Sequence, residues 1–157
     1  MIRIGVTGHR ALTPQVSDDV THLITTHLAP HGPHMTGVSC LADGADTLFA
    51  QAVLAAGARL EAIIPARGYR EALPPEHHPV YDRLLARAAR VRELPHTEST
   101  SRAHMAAGRL LVEHCDHLVA VWDGKPARGP GGTADVVAYA RALSRPVTVL
   151  WPEGTSR

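Results

Sequence analysis

The chain has 157 residues, a formal charge of +1, 45 % apolar and 20 % charged residues. That is enough for one folded domain with a real core, and it lacks the whole-molecule charge that would draw it to nucleic acid or anionic lipid. Aromatic residues make up only 4 %, so Ala, Val, Leu and Ile must fill the core.

The order of elements follows from apolar periodicity and turn residues. Ile2 to Thr7 reads as a first strand, ending at Gly8-His9-Arg10. Thr13 and Pro14 form an N-cap and first-position pair for a helix that carries Val16, Val20, Leu23, Ile24 and Leu28 on one face and stops at His31-Gly32-Pro33. Met35 to Cys40 is a second strand, followed by the turn Leu41-Ala42-Asp43-Gly44. The next helix carries Ala45, Leu48, Phe49, Ala52, Val53 and Ala56 and ends at Gly57. Arg59 to Ile64 is a third strand, and Tyr69 to His78, rich in Pro and His, reads as irregular. Val80 to Arg90 follows as a helix and Val91 to Leu94 as a short strand.

A polar loop from His96 to Ser101 leads to a helix from about Arg102 to His114, and Leu118 to Trp122 is a strongly apolar strand. Asp123 to Gly132 is a Gly/Pro-rich loop, Thr133 to Leu143 a helix, Val147 to Trp151 the last strand, and Pro152 to Arg157 a frayed tail. This alternation predicts a single α/β domain over residues 1–157, a Rossmann-like three-layer sandwich whose mostly parallel sheet is flanked by helices on both faces. In such sheets ligands bind beyond the carboxyl ends of the strands, where the strand order reverses.

The residues at those ends carry the functional reading. Gly131-Gly132-Thr133 opens a helix after a buried strand. Glycines let the backbone approach an anion, and a helix start offers unpaired amides and partial positive charge. Thr133 is placed to cap that helix and to donate to a phosphate oxygen; the plain alternative is a glycine loop that only reverses the chain. No Gly-Lys-Ser/Thr closes the loop, so it is not a Walker A motif. Gly8 permits a tight exit from the first strand, and Arg10 can hold a phosphate or carboxylate in two-pronged fashion, or else pair with Asp46. His9 is the weaker neighbour, being as readily a structural hydrogen-bonder. Ser39, Asp43 and Gly44 sit at the second strand exit, although the acidic residues there also suit the helix dipole. Asp123, Gly124 and the only lysine, Lys125, complete the candidate ligand set, with Asp123 either binding a ribose hydroxyl or holding the loop.

Histidine pairs such as His77-His78, and the group His114, Cys115 and His117, lack the spacing of a zinc site, so no metal is expected. Arg83, Arg87 and Arg90 make a stripe best read as a solvated face. The two cysteines, the absence of an apolar run near the ~20 residues of a membrane span and an N-terminus without signal-peptide regions set the expectation of a cytoplasmic protein.

Together these segments resemble the SLOG superfamily, which joins the DprA/Smf proteins and the Lonely Guy (LOG) phosphoribohydrolases. Thr7-Gly8-His9-Arg10 resembles its small stand-alone bacterial members. Ser39-Cys40-Leu41-Ala42-Asp43-Gly44-Ala45-Asp46 is similar to the Ser-Gly-Leu-Ala-x-Gly-x-Asp turn of DprA. Ala106-Ala107-Gly108-Arg109 and the run from Cys115 to Gly124 look like the stand-alone members again, and Gly131-Gly132-Thr133-Ala134 is similar to the Gly-Gly-x-Gly-Thr loop of LOG enzymes. The resemblance implies a Rossmann-like fold that binds a nucleotide or nucleotide-derived phosphate ligand, with no required cofactor, commonly as a homodimer. It departs from the LOG pattern at one point. The catalytic glutamate expected three residues after the loop threonine is Val136 here. An N-glycosidase acting on a nucleoside monophosphate would therefore need a displaced carboxylate, for which Asp135, Asp43 and Asp46 are candidates. Single-stranded DNA binding of the DprA kind is disfavoured by the charge balance and the scarcity of aromatics to stack bases.

Overall fold

The computed structural model describes residues 1–126 and 132–155. Six strands run in chain order: β1 (Ile2–Gly8), β2 (Met35–Ser39), β3 (Arg59–Ile64), β4 (Arg90–Glu93), β5 (His117–Val121) and β6 (Val147–Val149). They form one sheet in the order β4-β3-β2-β1-β5-β6, and every pair is parallel. The sheet grows outward from β1 in one direction as far as β4, and the chain then returns to place β5 on the other side of β1. A crevice must open at the carboxyl ends of β1 and β5, where that reversal occurs.

Side chains on successive strand residues point to opposite faces, and the strands sort their apolar residues accordingly. Ile4, Val6, Met35, Leu60, Val119 and Val121 join the core under α1 (Pro14–Leu28), α2 (Ala45–Ala55) and α4 (His78–Arg87). Val38, Ile63 and Leu118 point the other way, against α5 (Ser101–Glu113) and α6 (Thr133–Ala142). Thr13 caps α1 by accepting the Val16 amide, with Pro14 at the first position. Thr100 does the same for α5 through the Ala103 amide. One ion pair spans three strands: Arg3 of β1 donates to both carboxylate oxygens of Glu61 on β3, at 3.3 and 2.7 Å. The arginine holds the Glu61 carboxyl below its ordinary range.

The strand limits differ from those read in the sequence by at most one residue, except that β6 ends at Val149, two residues before Trp151, and three assignments change in kind. Tyr69 to His78 is not irregular: it contains α3 (Tyr69–Ala72) and a 3-10 turn over Pro75–His77 before α4 begins at His78. Helix α4 stops at Arg87, because Ala88 is extended at φ −68°, ψ 131°, so Arg90 lies on the edge strand and the arginine stripe is broken. Thr133 is the first residue of α6 rather than its cap, which is Gly132. At the carboxyl end, Trp151 donates its indole N–H to the Thr155 carbonyl at 2.8 Å, tying down the start of the tail. Among the described residues, no helix is long and apolar enough to cross a membrane.

Candidate functional site

The β1 exit is built on backbone hydrogen bonds. The His9 amide donates to Val121 of β5 at 3.1 Å, and the His9 carbonyl accepts the Ala45 amide at 3.1 Å. The first turn of α2 is thereby locked against the loop after β1. Gly44 is what allows this approach: its φ is +83°, and a Cβ there would lie 2.0 Å from the Arg10 carbonyl oxygen. Gly8 is equally enclosed, since a Cβ would meet those of Ala45 and Val121 at 2.5 and 2.8 Å.

A second turn follows β2. Leu41 is buried with φ +60°, a conformation costly for a residue with a Cβ. It is held by Ser39 Oγ, which accepts the Leu41 amide at 3.1 Å and donates to the Asp46 carbonyl at 3.0 Å. The His77 ring bonds the Leu41 carbonyl at 2.9 Å. The Ser39 hydroxyl is therefore bonded inside the fold, and Ser39 is not among the residues that line the adjacent cleft.

Between these turns lies a cleft of about 310 Å³ at the carboxyl ends of β1, β2, β3 and β5, at the lower end of the range for small-molecule sites. It brings together Gly8, His9, Arg10, Asp46, Lys125, Gly132 and Thr133, all of them singled out in the sequence. The first turn of α6 opens onto it. The Asp135 and Val136 amides close on the Gly132 carbonyl at 3.1 and 3.3 Å, whereas those of Thr133 and Ala134 come too early to find an acceptor inside their own helix.

Several candidates stand elsewhere. Asp43 is off the cleft wall and bonds Arg10, whose Nε and Nη2 lie 2.9 and 2.7 Å from its Oδ1; the partner of Arg10 is thus Asp43 rather than Asp46. Gly44 acts through backbone packing. Asp123 accepts the Lys125 amide at 3.0 Å, and its own amide donates to His9 Nε2 at 3.2 Å. It holds the start of the glycine loop instead of facing the cleft. Gly124, at φ +82°, shapes that turn. Val136 lines the cleft and Asp135 does not, as expected for neighbours about 100° apart around a helix. Gly131 lies outside the described residues.

Other residues of the wall were not among the ligand candidates named from the sequence. Tyr69, buried, packs edge-on against His104 with ring centroids 5.8 Å apart. His104 also bonds Ser99 Oγ at 2.8 Å through Nε2. The helical spacing of His104, Gly108 and Leu111 carried a usable signal for this face, since all three line the cleft. Cys40, Pro65 and Trp122 complete an apolar wall.

Burial sets the electrostatics. It raises the Asp46 carboxyl from 3.8 to about 7, against the opposing influence of the Ala42 amide and Arg10 and with a further push from Asp43. It drives the Cys40 thiol and the Tyr69 phenol well up, so both stay protonated at neutral pH. It lowers His104, which the positive charge of Arg10 lowers further.

Fold and cleft define the class: a SLOG-type Rossmann-like domain with its crevice at the reversal of strand order. The chain belongs to the DNA recombination-mediator protein A family, whose model matches residues 2–156. Its fold is similar to that of DNA processing protein A (DprA) from Streptococcus pneumoniae, with a TM-score of 0.72 and 19 % identity over 99 % of this chain and 52 % of that one. DNA processing protein A from Helicobacter pylori, described by its single-stranded DNA binding mode, gives 0.72 and 17 % over 99 % and 67 %. The molybdenum cofactor binding protein from Rippkaea orientalis gives 0.62 and 17 % over 94 % and 75 %. The chain spans about half the length of the Streptococcus pneumoniae protein, and no curated protein matches its sequence. With a relative named for single-stranded DNA binding, the expectation against nucleic acid finds no support here.

Proposed function

We propose that this domain binds a nucleotide or nucleotide-derived phosphate ligand in the cleft at the β1–β5 reversal. The observation that carries the reading is the convergence, on one cleft, of the α6 start at Thr133 and Ala134 with two basic residues, Arg10 and Lys125. Amides at a helix start and cations together favour a phosphate. The wall of Pro65, Tyr69, His104 and Trp122 supplies largely uncharged surface on which a base or sugar could pack.

The test is a thermal-shift panel of nucleosides and their mono-, di- and triphosphates. Phosphorylated members are expected to raise Tm and nucleosides to leave it unchanged. Arg10→Ala and Thr133→Ala should abolish the shift, and equal shifts in all three proteins would refute the reading. A short single-stranded oligonucleotide belongs in the same panel because of the relatives. Its displacement by a mononucleotide would mean that a strand's phosphate uses this cleft.

Cleavage of an N-glycosidic bond is the alternative reading. Among the described residues its support is one carboxylate on the cleft wall, Asp46, with the raised pKa suited to proton transfer at neutral pH. Free base released from a nucleoside monophosphate, and lost in Asp46→Asn, would establish the hydrolase; no release would leave binding without chemistry.

A further inference from the structure

We propose that a phosphate-bearing ligand enters this cleft together with one proton, taken from solvent and held on the carboxyl of Asp46. This rests on the ligand reading above and adds what the cleft demands of its occupant.

Asp46 stands in the first turn of α2 and is the one carboxylate among the described residues that line the cleft. Its Oδ2 accepts the Ala42 amide at 3.3 Å. The groups facing it come from four segments: Arg10 in the loop after β1, Asp43 before α2, Cys40 at the end of β2 and Tyr69 on α3. Cys40 and Tyr69 bring no charge at neutral pH, because burial keeps both protonated. Arg10 brings the one positive charge among the four, and the Asp43 carboxylate at 2.7 Å already matches it.

An ionised Asp46 therefore puts a negative charge on the wall of a cleft that must admit an anion, where it competes with that anion for Lys125, the other cation lining the cleft among the described residues. Protonated, the same carboxyl is neutral, and its O–H becomes a donor to a phosphate or sugar oxygen. The Ala42 amide remains on Oδ2 in either state. With its carboxyl raised to about 7 by burial, Asp46 is already close to balance between the two forms, so an arriving phosphate needs to tip it only slightly. The cleft accordingly selects ligands that present an acceptor oxygen to Asp46, and it disfavours those that present an amine, which would need the ionised carboxylate. Binding changes no covalent bond and transfers no electron; one proton moves from solvent to Asp46.

Isothermal titration of the full chain with adenosine 5′-monophosphate as probe tests this. Titrations at pH 7.5 in two buffers of different ionisation enthalpy count the protons taken up, and a series from pH 5.5 to 9 follows Kd. The wild type should take up roughly half a proton or more per ligand, given a free carboxyl that titrates near 7. Its affinity should fall about tenfold towards pH 9 for each pH unit by which the ligand raises that carboxyl. Asp46→Asn should show only the titration of the probe's own phosphate. Equal proton counts in the two proteins would overturn the proposal and leave the ligand reading standing. No binding to either protein at any pH would overturn both. Should Asp46→Asn not fold, Asp46→Ser replaces it, and zero proton uptake by the wild type refutes the proposal without any variant.

Discussion

Replacing Asp46 by Asn should stabilise the ligand-free domain at alkaline pH and leave it nearly unchanged in acid. In the unfolded chain the carboxyl titrates near its ordinary 3.8, and in the fold near 7. Between those values the folded state holds more protons, so folding weakens as pH rises from about 4 to about 7 and levels off above. At about 1.36 kcal/mol per pH unit, the gap comes to about 4 kcal/mol for a fully dry site. Asp46 borders an open cleft that water reaches, so roughly half of that, about 2 kcal/mol, is the reasonable expectation. For a domain of this size 1 kcal/mol moves Tm by about 2–4 °C. Measured by circular dichroism from pH 4.5 to 8.5, the Tm of Asp46→Asn relative to wild type should therefore rise by about 4–8 °C across the range. The asparagine keeps an oxygen for the Ala42 amide, so that hydrogen bond cancels in the comparison, as do the histidines that titrate in both proteins. A Tm difference independent of pH would show that the carboxyl is not desolvated in the fold.

Glu61→Gln removes the anion that Arg3 grips across β2 and should cost about 2 kcal/mol in urea unfolding at pH 7. Because the folded Glu61 titrates below 4.5, its contribution is complete above that pH and is lost as pH falls through the depressed value, so the two proteins should converge in strong acid. Gly44→Ala should cost about 3 kcal/mol or more, or prevent folding, because its Cβ would meet the Arg10 backbone. Gly32→Ala, also at positive φ but with open space around it, should cost less, about 2 kcal/mol from backbone strain alone; equal urea midpoints would refute the steric argument. His27 and His117 are both lowered, first by burial and then by neighbouring histidines, and their rings lie 5.4 Å apart. The fold holds fewer protons there than the unfolded chain below pH 6.5, so His27→Gln should reduce the loss of stability between pH 6.5 and 5, measured against the Asp46→Asn background.

The strand and helix alternation was legible because two periods coexist cleanly in this chain: short apolar runs for strands buried on both faces, and helices with a single apolar stripe. Tyr69–Ala72 escaped because a four-residue helix has no period to read, and the prolines at 74 and 75 suggest only a break. Long-range hydrogen bonds hold the entry to that turn instead, with the Arg67 and Gly68 amides donating to His96 and Thr97. Ser39 is ambiguous in the sequence for a related reason. A hydroxyl at a strand exit has the same signature whether it meets a ligand or supports a strained turn, and only the positive φ of Leu41 separates the two. Arg10 was correctly associated with an acidic partner, but its choice of Asp43 over Asp46 depends on how the loop after β1 lies against α2, which no sequence spacing encodes.

That same contact bears on how the cleft would work. The loop after β1 is fixed by backbone bonds to β5 and α2, by the fit of Gly44 beneath Arg10, and by the Asp123 amide on the His9 ring. The backbone that carries Arg10 and Asp46 is thus fixed by the fold itself, and a ligand would have little ordering entropy to supply for this half of the site. An exposed arginine on a free loop would lose about 2 kcal/mol of side-chain freedom on gripping a phosphate. Here most of that loss has already been met by the bond to Asp43, which a phosphate need only share or displace. Under the proposed reading, the interlocked turns, more than any single charged side chain, would let the cleft discriminate between ligands of similar charge.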